Sequence, residues 1–216
     1  MQTSYTLISE VPTHAEIRSL IFDRMYNRLT SEQQANCHLP SDVNACYYHY
    51  DDTNRKVRII ALDDYELPRV DDGSGNLLYI GSHLYETNSH YAYTQSDCNY
   101  YTQSQLQWFI DTLKATPAGY TIITNNHIGL RDFGTVRDLG NSVQAMVQIL
   151  CAFKNKTAGS VTVNDINGAT GYTINYDFTT VNSYPIMHHH GHIHTFEKYT
   201  PVGANIPTIQ TQCPLS

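Results

Sequence analysis

Apolar residues recur every three to four positions from His14 to Leu29, at Ile17, Leu20, Ile21, Met25 and Leu29, which predicts an amphipathic helix. Thr13 suits its N-cap, with Glu16 three residues later as in a capping box. The stretch Leu29 to Asn44 is rich in Ser, Asn, Gln and Pro and reads as a loop. Alternating aromatics from Cys46 to Asp51, a turn at Asp51-Asp52-Thr53-Asn54 and an apolar run from Lys56 to Leu62 predict a hairpin. Leu67 to Gln95 reads as a long loop with a short element at Leu77-Ile80.

The clearest helix spans Thr102 to Thr116. Leu106, Phe109, Ile110 and Leu113 make one face beside Trp108, and Pro117-Ala118-Gly119 ends it. Tyr120 to Thr124 predicts a strand that delivers Asn125-Asn126-His127 to its C-terminal end, where a crevice is expected, with Asn125 and Asn126 making the turn that aims the His127 imidazole. Ser142 to Phe153 predicts a third helix through Val143, Met146, Val147 and Leu150. Gly159 to Asn164 and Tyr172 to Phe178 alternate around Asn167-Gly168, as a hairpin does, with Tyr172, Ile174, Tyr176 and Phe178 on one face. Pro185-Ile186-Met187 runs into a histidine cluster, Lys198 to Pro207 reads as a loop, and Thr208 to Thr211 as a last short strand. The class this order predicts is α/β, or α+β by some schemes, in one domain over residues 1–216.

Composition narrows the function. Charged residues are 15% of the chain against 41% hydrophobic, so the chain folds, and the formal net charge of −7 disfavours a nucleic-acid backbone as main partner. There are 17 tyrosines, a residue that packs while keeping a polar tip. No apolar run approaches 18 residues and Met1 to Glu10 lacks a leader pattern. The expectation is a protein without membrane spans, cytoplasmic or virion-associated. The five cysteines have no Cys-x-x-Cys spacing, which makes free buried thiols the expectation.

The chemistry concentrates in Met187-His188-His189-His190-Gly191-His192-Ile193-His194, which holds five of the eleven histidines. Imidazole is the commonest metal ligand. In an extended segment His192 and His194 share a face and Ile193 points into the core. A compositional histidine tract and a set of core histidines without ligand role are the plainer readings.

The helix Gln105-Leu106-Gln107-Trp108-Phe109-Ile110-Asp111-Thr112-Leu113, the strand and loop Ile122-Ile123-Thr124-Asn125-Asn126-His127-Ile128-Gly129-Leu130, and the closing Gly191-His192-Ile193-His194 together resemble segments of the calcineurin-like metallophosphoesterases. The hairpin from Gly159 to Phe178 resembles versions of that family from phages and Gram-positive bacteria. The hairpin after Tyr47-Tyr48-His49-Tyr50 resembles the one that follows that family's Gly-Asn-His motif, so the similarity runs over roughly Ala45 to Thr211. It implies part of a four-layer α/β/β/α sandwich. It implies metal ligation by His127 and His192 on one ion and by His194 on the other, with divalent ions (Mn, Fe, Zn or Ni) that are dinuclear in complete members. It also implies hydrolysis of a phosphate ester by metal-activated hydroxide. This chain departs from the family in two ways. Gly129 stands where a proline is usual, and the N-terminal Asp-x-His, Gly-Asp and Gly-Asn-His motifs are missing, while His14, His38 and His49 lack their context. The resemblance therefore predicts a C-terminal portion of the domain, nearly inactive alone, with an N-terminal half from another chain as one possible partner. The other function classes are a catalytically dead structural or binding module, such as a phage or cell-surface protein, and a histidine-rich metal-storage domain.

Overall fold

The structure, a computed structural model, describes residues 12–68, 70–71, 73–75, 77–78, 98–127, 129, 137–166, 168–191, 195–200 and 205–211. The chain is mixed α/β, broadly α+β, and is built on a seven-stranded mixed sheet. The strands are β1 (Cys37–His38), β2 (Tyr48–Asp52), β3 (Val57–Ala61), β7 (Thr121–Asn126), β11 (Ile186–His190), β12 (Glu197–Tyr199) and β13 (Thr208–Gln210). Their spatial order is β1-β2-β3-β7-β11-β13-β12. The four inner strands β3, β7, β11 and β13 run parallel, and the flanking β2 and β12 are antiparallel to their neighbours. Two-stranded pairs complete the strand set: β4 (Val70–Asp71) with β5 (Leu77–Leu78), β6 (Cys98–Asn99) with β8 (Arg137–Asp138), and β9 (Ala158–Val163) with β10 (Tyr172–Asp177).

One face of the large sheet is closed. Ile60, Ile122 and Ile186 project from it into a core shared with α4 (Gln103–Lys114) and α5 (Ser142–Asn155). From α4 come Leu106, Phe109, Ile110 and Leu113, all fully buried, and from α5 Met146, Ile149 and Leu150. The hairpin of β9 and β10 closes the far side of the helices through Val161, Val163 and Ile174, with Phe178 just beyond β10. The other face alternates out of the core, and Ile59, Ile123, Met187 and Ile209 are half-buried or exposed there.

The predicted helices and strands among the described residues form, with shifted ends; most of the expected loop from Leu67 to Gln95 lies outside the described residues, and β4 and β5 fall within it. The first helix covers His14 to Tyr26 as α1 (His14–Ile17), a π-helical turn (Arg18–Phe22) and α2 (Asp23–Tyr26), and its Thr13–Glu16 capping box is present. Its apolar stripe is not in the core: Leu20, Ile21 and Met25 are more than half exposed. Met25 and Leu29 of the stripe, with Phe22 and Tyr26, border a cleft of about 400 Å³ against Tyr48, Tyr50 and Ile59 of the open sheet face. The expected loop from Leu29 to Asn44 holds α3 (Ser31–Ala35) and β1. Thr30 caps α3 and Gln33 reciprocates, a signal outweighed by the polar composition. Asp51 and Asp52 belong to β2, so the hairpin turns later, through Lys56 at φ 53°. Asn125 and Asn126 likewise extend β7 beyond Thr124, and β12 takes up the start of the loop expected from Lys198 to Pro207. Of the expected buried thiols Cys46 is buried, while Cys37 and Cys151 are half-buried; all three are free. No helix among the described residues is long and apolar enough to cross a membrane.

Candidate functional site

Parallel pairing brings the C-terminal ends of β3, β7 and β11 to one edge. Ala61 lies opposite Asn125, and Asn126 opposite His190. The ladder continues past the strands: Leu62 N–H donates to Asn125 O at 2.8 Å and Gly191 N–H to His127 O at 3.1 Å. His127 therefore stands at the crest of β7, exposed, with its carbonyl tied to the end of β11. A Cβ placed on Gly191 would lie 3.8 Å from His127 Nδ1, in ordinary van der Waals contact, so Gly191 lies beside the imidazole. The Tyr65 ring lies 6.0 Å from that of His127 on the other side. His127 is placed as the sequence predicts. His192, Ile193 and His194 lie outside the described residues, and with them the expected closeness of His127 and His192.

The preceding histidines alternate across β11. His188 and His190 point to the closed face and are fully buried, while His189 points to the open one. His188 Nδ1 shares a 2.9 Å hydrogen bond with Thr124 Oγ1. Burial, and then the neighbouring His190 and His189, hold its pKa well below the ordinary imidazole value, so it is neutral. His190 Nε2 lies 2.7 Å from Tyr199 Oη and Nδ1 lies 3.0 Å from Gly191 O. His189 Nδ1 meets Asn125 Oδ1 at 2.6 Å. Asn125 and Asn126 do not form the turn that aims His127; Asn126 Nδ2 instead donates to Tyr101 Oη at 2.8 Å. The row Thr124, Asn126, His188, His190, Thr208 and Gln210 is almost wholly buried, so the floor beneath the strand ends is polar. A buried polar floor of this kind keeps its shape through its hydrogen bonds.

Gly129 is buried, and a Cβ there would lie 2.4 Å from His190 Cε1 and 2.8 Å from both ring nitrogens. Gly129 thus packs directly on the His190 imidazole, an approach that only glycine permits.

Acidic groups follow β3. Asp63 Oδ2 lies 3.8 Å from His14 Nε2, and burial raises the Asp63 carboxyl. Glu66 Oε2 accepts from Thr102 N–H at 2.9 Å, Thr102 Oγ1 at 2.6 Å and Gln105 Nε2 at 2.7 Å. Glu66 borders a cleft of about 510 Å³ shared with His14, Asp42, Tyr100, Ser104 and Tyr172. Burial pushes its carboxyl from the ordinary 4.5 up to about 7, against the pull of those three donors.

A carboxyl raised on folding favours the folded state while protonated. Its contribution is complete below about pH 4.5 and is lost as pH rises through about 7. The effect is on the order of 3 kcal/mol at most. Unfolding free energy measured from pH 4.5 to 8 is expected to fall for the natural chain relative to Glu66→Gln. Parallel curves for the two proteins would contradict the assignment.

A second cluster escaped the sequence reading. Across the β1–β2 ladder His38 pairs with His49, and Asp51 follows two residues later on the same face. Among the described residues this is the one group of three potential metal donors, with ligand atoms all within 4.8 Å of one another. The i, i+2 spacing of His49 and Asp51 was visible in the sequence; the pairing of His38 with them was not. No protein-family model matches this chain, and no curated protein matches it either.

Proposed function

We propose that the strand-end site is a divalent-metal site of phosphoesterase type, with His127, His192 and His194 as its ligands. The observation that carries the reading is the exposed His127 imidazole at the end of one parallel strand, bonded through its carbonyl to Gly191 at the end of the next. Gly191 precedes His192 in the chain, and Gly191-His192-Ile193-His194 is the motif behind the resemblance to calcineurin-like metallophosphoesterases. The described residues fit a metal in two respects. His127 is exposed at the strand end, and His188 and His190 are withdrawn into the core, where Thr124 and Tyr199 engage them. Gly129, where that family usually carries proline, leaves room for the His190 ring.

Bound divalent ions supply a hydroxide at neutral pH and neutralise charge on a phosphoryl group. The chain's own part is to hold His127 on a rigid strand end over a hydrogen-bonded floor. The half-buried face with Ile59, Ile123, Met187 and Ile209 is the surface on which the second sheet of a four-layer sandwich would pack. An N-terminal half on another chain is one source of that sheet and of the missing ligands.

The alternative is a module that keeps the fold without the chemistry. It is favoured by one observation: His188 and His190, two of the five clustered histidines, are fully buried core residues that engage Thr124 and Tyr199. Titration of Zn²⁺ or Mn²⁺ into single variants tests the proposal. His127→Ala, His192→Ala and His194→Ala are expected to weaken binding strongly, and His188→Ala and His190→Ala far less. Loss with His188→Ala or His190→Ala but not with His192→Ala overturns the ligand assignment. Hydrolysis of an aryl phosphate by this chain alone, with Mn²⁺, Ni²⁺ or Zn²⁺ added, is expected to stay near background. Fast turnover abolished by His192→Ala would show instead that the ligand set is complete without a partner.

A further inference from the structure

We propose that His38, His49 and Asp51 form a second, separate site for a divalent transition-metal ion of the zinc type, at the edge of the large sheet. This site shares no residue with the strand-end site and does not depend on it.

The ladder builds the cluster. His38 of β1 and His49 of β2 are directly opposed, a position that sets Cβ atoms about 4.5–5.5 Å apart. Their rings lie side by side with centroids 4.4 Å apart and planes 23° apart. Asp51 follows His49 on the same face. Its carboxylate is already oriented, because Arg58 Nε donates to Oδ1 and Nη2 to Oδ2, each at 2.7 Å. His38 Nε2 lies 3.9 Å from Asp51 Oδ2. Trp108, 6.0 Å away, flanks the His49 ring.

The spacing matches a shared cation. Donors at about 2.0–2.2 Å from one zinc ion stand no more than about 4.3 Å apart. The three donors here lie within 4.8 Å of one another, so side-chain movement of about 1 Å closes the site. His49 Nδ1 is buried without a hydrogen-bond partner, a costly state that ligation through this nitrogen relieves. The His38 side chain is half exposed, which leaves an entry path and a position for solvent.

Two imidazoles and one carboxylate select the metal class. They suit Zn²⁺, Co²⁺ or Ni²⁺ and not Mg²⁺ or Ca²⁺, which demand oxygen ligands. The Arg58 guanidinium holds the carboxylate in place and also repels a cation, so this is a weaker site than one with an unpaired aspartate. The bound ion would pin β1, only two residues long, to the sheet, and with it α3 just before it.

The test uses the full chain carrying His127→Ala, His192→Ala and His194→Ala, which removes the strand-end ligands. Calorimetric titration with Zn²⁺ is expected to find one remaining site, unaffected by excess Mg²⁺. Adding His38→Ala, an exposed position that leaves the fold intact, is expected to weaken it by at least the roughly 10–100-fold that loss of an outer-shell partner costs. His49→Gln should act alike. In nitrogen-15 spectra of the imidazoles Zn²⁺ should shift His38 and His49 together. No Zn²⁺ binding in this background, binding indifferent to His38→Ala, or unmoved His38 and His49 signals would each overturn the proposal. Failure of the strand-end reading looks different: His127→Ala would leave the Zn²⁺ stoichiometry of the otherwise natural chain unchanged.

Discussion

Replacing Arg58 with alanine is expected to destabilise the protein by about 3–5 kcal/mol, the cost of breaking a buried ion pair by removing one partner. Arg58 and Asp51 are both more than nine-tenths buried and face each other across the β2–β3 ladder. The guanidinium also donates to Thr112 O at 2.8 Å and Thr116 Oγ1 at 3.2 Å, so it ties the hairpin to the end of α4. Alanine would leave the Asp51 carboxylate buried without its bidentate partner. Lysine would keep the charge and lose the fork, and should recover only part of the loss. Denaturant unfolding at constant m-value reads the effect. A loss of less than about 1 kcal/mol, the scale of a surface pair, would show that the pair is not shielded from solvent.

The second large effect is a reversal. Gly129→Ala alone is expected to cost about 1–3 kcal/mol, as overpacking does. The new methyl would meet the His190 ring at 2.4 Å. That ring is fully buried and held at both nitrogens, so it has no room to swing aside. His190→Ala alone should also destabilise, by leaving a cavity and removing the hydrogen bond with Tyr199 Oη. On that background the Gly129→Ala change should cost almost nothing. A double-mutant cycle then gives a favourable coupling of about 1–3 kcal/mol, the scale of contacting residues. Additive losses would mean that the two residues do not touch. His127 sits two residues before Gly129, so Gly129→Ala should also weaken metal binding at the strand ends.

Much of the scaffold was legible because its signals are local. The apolar face of α4 needed only the spacing of Leu106, Phe109, Ile110 and Leu113. The apolar run from Lys56 to Leu62 and the stretch from Tyr120 to Thr124 marked β3 and β7 as strands. The end of β7 was misjudged, because Asn125 and Asn126 read as turn residues and are held in the ladder by neighbours far away in the chain, His189, His190 and Tyr101. The first helix showed a correct period and cap, yet its apolar face borders a cleft; periodicity says that a face is apolar and not what covers it. In the candidate site, His127 followed from its place after a buried strand. The withdrawal of His188 and His190 into the core did not, since in an extended strand they share the parity of His192 and His194. The cluster of His38, His49 and Asp51 depends on a two-residue pairing that no local pattern announces.

The central claim is that His127 and His192 share a metal ion. A crystal structure of the chain grown with Mn²⁺ or Zn²⁺ tests it most directly, through one distance. The account predicts an ion about 2.0–2.1 Å from a ring nitrogen of each residue, with those nitrogens no more than about 4 Å apart. Without metal, relaxation allows a separation of up to about 7 Å. Rings on opposite sides of the sheet, or a separation well beyond that limit, would contradict the shared site and the phosphoesterase reading with it.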